Sequence, residues 1–173
     1  MATRSSSSRR SGDLLEQAHR LLRESSATVA TAESLTGGRL AAMLTSLPGA
    51  SDVVRGGVVA YATEVKTTVL GVPQGVVDSV GVVSAECASA MAGGARLLTG
   101  ATYGVATTGV AGPSEQEGKP PGTVFVAVDG PTGGPTLALE LPGSREQIVA
   151  RTCEEALTAL VSLISGSEET GLG

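Results

Sequence analysis

Thr31-Ala32-Glu33-Ser34-Leu35-Thr36-Gly37-Gly38-Arg39-Leu40 reads as a strand handing over to a helix. The apolar run from Ala27 to Ala32 leads into it, and Leu40, Met43, Leu44 and Leu47 follow at the i, i+3, i+4, i+7 spacing of one helical face. Pro48-Gly49 then ends that face. A strand-to-helix turn exposes a side chain at the end of a sheet, and the unpaired N–H groups opening the helix favour an anion. Ser34 is therefore a candidate nucleophile, a plain turn with a helix cap being the other reading.

Outward from this turn the two periodicities alternate. Leu14, Leu15, Ala18, Leu21 and Leu22 predict a helix from Gly12 to Glu24. Val53 to Tyr61 reads as a second strand, after which Thr63 caps a helix stopped by Gly71 and Pro73. The stretch from Gln74 to Val82 fits a short helix or a loop. Ser84 caps an alanine-rich helix that Gly100 ends, and Thr102 to Thr107 is the next strand. Thr108-Gly109-Val110-Ala111-Gly112-Pro113 leaves it as a glycine-rich loop, and the segment from Ser114 to Pro121 is polar. Thr123 to Val128 and Thr136 to Leu141 read as a hairpin. Ser144-Arg145-Glu146-Gln147 has the form of a capping box opening the last helix. The predicted fold is a three-layer α/β/α sandwich on a mixed, mostly parallel sheet, forming one domain over residues 12–165. Residues 1–11, basic and serine-rich, read as a disordered tail, and residues 166–173 as a frayed one.

Composition removes several classes of function. The chain has 173 residues, 41% of them hydrophobic, and aromatics are limited to Phe125, Tyr61 and Tyr103. That leaves no stacking surface for single-stranded nucleic acid, and a net charge of −5 argues against nucleic acid altogether. No run approaches the length of a membrane span, and the N-terminus has no apolar signal core, so a cytoplasmic protein is expected. Cys87 and Cys153 read as buried thiols, and no metal-type spacing is present. The glycine- and alanine-rich helices pack closely either within the chain or between subunits; we expect a homo-oligomer.

The single histidine, His19, sits in the first helix, badly placed for a Ser-His-Asp triad. A proton acceptor for Ser34 then falls to a lysine of lowered pKa, and Lys66 and Lys119 are the two lysines present. Ligands of open α/β sheets sit beyond the carboxyl ends of the strands. Three such ends carry reactive-looking residues: Glu33 to Gly38, Tyr61 with Thr63 and Lys66, and Thr107 to Gly112. Parallel neighbouring strands would bring all three to one cleft.

Five strings in order, Ala32 to Gly38, Tyr61 to Lys66, Val83 to Glu86, Thr108 to Pro113 and Lys119 to Val124, resemble the CinA C-terminal domain family. The resemblance spans Leu14 to Ile164. It implies an α/β/α fold and hydrolysis of nicotinamide mononucleotide to nicotinic acid mononucleotide and ammonia, without metal or cofactor, in pyridine-nucleotide recycling. The same fold serving as a non-catalytic nucleotide-binding or competence-associated interaction module is the alternative. By resemblance the catalytic set falls on Ser34, Lys66, Tyr61 and Thr108. Ser34 would form an acyl-enzyme while N–H groups around Thr36, Gly37 and Gly38 hold the oxyanion, and Lys66 would carry the proton. Tyr61 would relay a proton, bind substrate or merely edge the core. Gly109, Gly112 and Arg145 would hold the substrate phosphate, whereas Arg39 reads as a surface arginine and Glu33 either orients Lys66 or lies in the turn. The chain departs from the family pattern at Ser114-Glu115-Gln116-Glu117-Gly118, where further glycines are common, and at Pro121.

Overall fold

Large and small side chains alternate along the strands, and that alternation decides which helix lies on which face. In the computed structural model, which describes residues 6–170, the strands are β1 (Val29–Glu33), β2 (Val54–Val59), β3 (Tyr103–Gly109), β4 (Thr123–Asp129) and β5 (Thr136–Glu140). They form one sheet in the order β2-β1-β3-β4-β5. β1 runs parallel to both β2 and β3, whereas β4 is antiparallel to β3 and to β5. The sheet is thus mixed, with β4 alone reversed. The helices are α1 (Ser6–Glu24), α2 (Arg39–Leu44), α3 (Thr63–Thr68), α4 (Gln74–Val80), α5 (Ala85–Thr99) and α6 (Arg145–Thr170).

Successive strand residues face opposite sides of a sheet. Val29, Tyr103, Val105, Val124, Val126 and Val128 fill one side, where they meet the apolar faces of α1, α2 and α6. On the other side Ala30, Ala32, Ala106 and Ala127 meet α5 through Cys87, Ala88, Met91, Ala92 and Ala95. Alanines there let α5 lie close to the sheet. A Cβ added at Gly104 would collide with the Ala92 carbonyl oxygen, and one at Gly94 with that of Leu70. The close packing expected of the small-residue helix is therefore made inside the chain. The α/β/α sandwich stands as three layers, and no helix among the described residues is long and apolar enough to cross a membrane.

Several boundaries differ from the sequence reading. Helix α1 starts at Ser6 rather than Gly12, so residues 6–11 belong to the helix and not to a tail; Ser11 Oγ donates to Glu154 Oε1 on α6 at 2.7 Å, tying that turn to the domain. Residues 1–5 lie outside the described residues, as do 171–173. Helix α6 continues through Thr170. Gln74–Val80 is a helix. The Thr63 hydroxyl caps nothing, since Ala62 occupies the cap position of α3. Helices α2 and α3 stop short of the residues read as their ends, Thr45 and Val69 taking the C-cap positions instead of Pro48-Gly49 and Gly71. Three other punctuation sites act as read: Ser84 Oγ accepts from the Cys87 N–H at 3.1 Å, Gly100 closes α5 at φ 65, and Ser144 and Gln147 exchange the reciprocal bonds of a capping box.

Candidate active site

The parallel arrangement of β2, β1 and β3 brings their carboxyl ends side by side. The Ser34 N–H donates to Thr107 O at 2.9 Å and the Ala60 N–H to Glu33 O at 2.8 Å, so the three chain exits are stitched together. Glu33 is wholly buried at the centre of this seam. Its Oε2 accepts from the Thr36 hydroxyl at 2.7 Å and from the Gly38 and Leu40 N–H groups at 3.0 Å. Its Oε1 accepts from the Ala41 N–H at 2.8 Å and from Thr31 Oγ1 at 3.3 Å. The carboxylate thereby satisfies the N–H groups that open α2. The Thr36 proton is committed to Glu33, so Thr107 is the donor in the 2.7 Å contact between the two threonine hydroxyls. Glu33 organises the serine turn and has no bond to Lys66.

Lys66 projects from α3 back under this turn and is 1% exposed. Its Nζ donates to Ala60 O at 2.6 Å and to Tyr61 O at 3.3 Å, and lies 3.1 Å from Ser34 Oγ. Carbonyl oxygens only accept, so two of the amine's hydrogens are fixed on those neighbours. In a neutral amine the lone pair is then left facing the serine hydroxyl, the arrangement a general base requires. Burial favours that neutral form and holds the Lys66 pKa below the ordinary lysine value, while Cys87 and Glu117 push the other way to a lesser extent. Burial also pushes the Cys87 thiol up to about 11 and the Cys153 thiol up to about 12, so both buried cysteines stay protonated.

Ser34 opens into a cavity of about 310 Å³ that Tyr61, Val82, Val83, Gly112 and Arg145 also line. That volume is at the small end of the roughly 300–1,000 Å³ of small-molecule sites. Arg145 crosses the mouth, its Nη1 donating to Gly112 O at 2.6 Å and its Nη2 to the Tyr61 hydroxyl at 3.0 Å. A second cavity, bordered by Thr36, Gly37 and Arg39, shares Leu35, Tyr61 and Arg145 with the first. Among the described residues, no three His, Cys, Asp or Glu side chains come together as a metal ion would need.

The residues singled out from sequence thus fall into three groups. Ser34 and Lys66 are in direct contact, with Tyr61 beside them through its backbone carbonyl; its side chain is 63% exposed and its hydroxyl meets Arg145 rather than Ser34. Thr108, Gly109 and Gly112 line the serine cavity, but the Thr108 hydroxyl is donated to Val82 O at 2.7 Å. Gly37 and Gly38 spend their N–H groups on Ser34 O and Glu33 Oε2. Lys119 plays no part in the dyad. His19 is buried on the far side, its Nε2 donating to Leu44 O at 2.8 Å. Sequence reasoning missed the carboxylate roles of Glu33 and Glu117, because neither residue stands at a recognisable helix-cap spacing.

The model of the CinA C-terminal domain matches residues 12–164. The chain belongs to the CinA C-terminal domain family. It is 50% identical over 156 residues to a CinA-like protein of Frankia casuarinae, covering 88% of this chain and 36% of that protein. A CinA-like protein of Anaeromyxobacter dehalogenans is 48% identical over 133 residues, covering 76% and 33%. This CinA domain therefore spans about a third of the length of the curated relatives it matches. Among solved structures, a CinA superfamily protein of Klebsiella pneumoniae superposes with a TM-score of 0.87 at 32% identity, covering 90% of this chain and 98% of that one. The competence/damage inducible protein CihA of Agrobacterium tumefaciens does so at 0.82 and 34%, covering 94% and 99%.

Proposed function

We propose that this domain is an amidohydrolase that deamidates nicotinamide mononucleotide, within pyridine-nucleotide recycling in the cytoplasm. The observation that carries the reading is the buried Lys66 amine 3.1 Å from Ser34 Oγ, with its hydrogens held by two carbonyls. In this mechanism Ser34 Oγ attacks the carboxamide carbon as Lys66 takes its proton. The tetrahedral intermediate collapses, the C–N bond breaks, and Lys66 returns the proton to the departing ammonia. Water then attacks the acyl-enzyme with Lys66 again as base, releasing the carboxylate and restoring the serine.

The oxyanion would be held by the N–H groups of Leu35 and Thr36, which carry no bond within the described residues, in place of those of Gly37 and Gly38. Arg145 and the loop at Gly109 and Gly112 would take the phosphate, with Tyr61 orienting the guanidinium. Tyr61 and Thr108 support rather than relay: their hydroxyls face Arg145 and Val82.

Ammonia release by the purified protein, compared across nicotinamide mononucleotide, nicotinamide riboside and free nicotinamide, tests the reading. The mononucleotide should be the preferred substrate. Absence of release from all three, with nucleotide binding intact, would favour the non-catalytic module.

A further inference from the structure

The polar segment from Ser114 to Pro121 carries a tight turn. Gln116 and Lys119 exchange both backbone hydrogen bonds, at 3.1 and 2.9 Å, around Glu117 and Gly118. Both central residues have positive φ, 54 and 71. That is the requirement of a type I′ turn, whose first central position suits asparagine, aspartate or glycine far better than glutamate. Glu117 and Ser26 are the non-glycine residues with positive φ among the described residues. A glutamate held in a disfavoured conformation calls for a compensating contact.

The contact is bidentate. Glu117 Oε1 accepts from the Val82 N–H and Oε2 from the Val83 N–H, each at 3.0 Å. The other side of the same peptide segment is held by Thr108, whose hydroxyl donates to Val82 O. Val82, Val83, Ser114, Glu115 and Gln116 all line the Ser34 cavity. Gly81 leaves room for the carboxylate: a Cβ there would collide with Glu117 Oε2.

We propose that Glu117 is a positioning residue that fastens the loop over residues 114–119 onto Val82 and Val83, fixing the wall of the Ser34 cavity that receives the substrate. The kinetic part of this rests on the amidohydrolase reading; the clamp itself does not. Glu117 also faces the dyad electrostatically. Lys66 is surrounded by the Ala60 and Tyr61 carbonyls, Ser34, the Cys87 thiol of α5 and this carboxylate, which favours the protonated amine.

Two substitutions separate the clamp from the turn. Glu117→Asn suits the turn better but is too short to bridge both N–H groups, and Glu117→Gln keeps the length but loses one acceptor. Amide hydrogen exchange read at Val82 and Val83 should quicken by about tenfold or more in Glu117→Asn, and less in Glu117→Gln. For nicotinamide mononucleotide, KM should rise about tenfold in Glu117→Asn with kcat changed less than about threefold. Activity that depends on neutral Lys66 rises with pH as the amine loses its proton, and in both variants that rise should move to lower pH, a shift that a purely turn-forming residue would not produce. Unchanged exchange at Val82 and Val83 in Glu117→Asn overturns the clamp, whether or not the wild-type protein releases ammonia. Faster exchange with unchanged KM in an active enzyme overturns its role at the cavity.

Discussion

Glu33 accepts from two threonine hydroxyls and three backbone N–H groups while wholly buried. Replacing it with glutamine puts an NH2 group against donors. Glu33→Gln should therefore lower stability by roughly 3 kcal/mol, read as a lower denaturant midpoint, and should loosen the Ser34 turn enough to cut turnover as well. A variant of unchanged stability would show that the turn is held by other contacts. Arg145 works from the opposite, exposed side of the cavity, where its fork is half engaged by Gly112 O and the Tyr61 hydroxyl. Arg145→Ala should raise KM for the mononucleotide much more than for the riboside, and equal losses on both would remove the phosphate from its role. That Ser34, Lys66 and Tyr61 come together could be expected from sequence because residue type and strand-end position carry the signal. Glu33 and Glu117 could not be assigned, since their partners are backbone N–H groups brought near only by the folded path.

Helix α5 sits on the alanine face of the sheet at a distance that glycine and alanine permit. A methyl group at Gly104 has nowhere to go but into the Ala92 carbonyl. Gly104→Ala should cost about 1–3 kcal/mol through overpacking, measured as a fall in the unfolding midpoint; an unshifted midpoint would mean that α5 yields freely. The alternation of strands and helices was readable because each element has its own periodicity and its own stop residues, such as Gly100 after α5 and Ser144 before α6. The ends of α1 and α6 were not. Serine-rich or glycine-bearing ends have weak intrinsic helicity, and the Ser11 to Glu154 bond that binds the first turns of α1 is between residues 143 positions apart.

Across the whole molecule, one end of the sheet supplies three parallel exits, and one buried amine joins the exit of β2 to the serine at the exit of β1. Burying Lys66 favours its neutral form, so the group that would serve as base is also one that folding has to desolvate. Where the folded pKa lies below the unfolded one, the folded chain binds fewer protons, and stability rises with pH through that window. Lys66→Met relieves the desolvation and should leave the unfolding midpoint unchanged or higher while abolishing activity. Lys66→Arg should be inactive because guanidinium stays protonated, and His19→Gln should leave the pH profile as it is. The most direct test is the pH profile of ammonia release from nicotinamide mononucleotide, with Lys66→Met and Ser34→Ala alongside the wild type. Activity rising through one ionisation below the ordinary lysine pKa, and lost in both variants with the fold intact, is the predicted result; an active Lys66→Met protein, or an unaltered profile without that amine, would contradict the dyad.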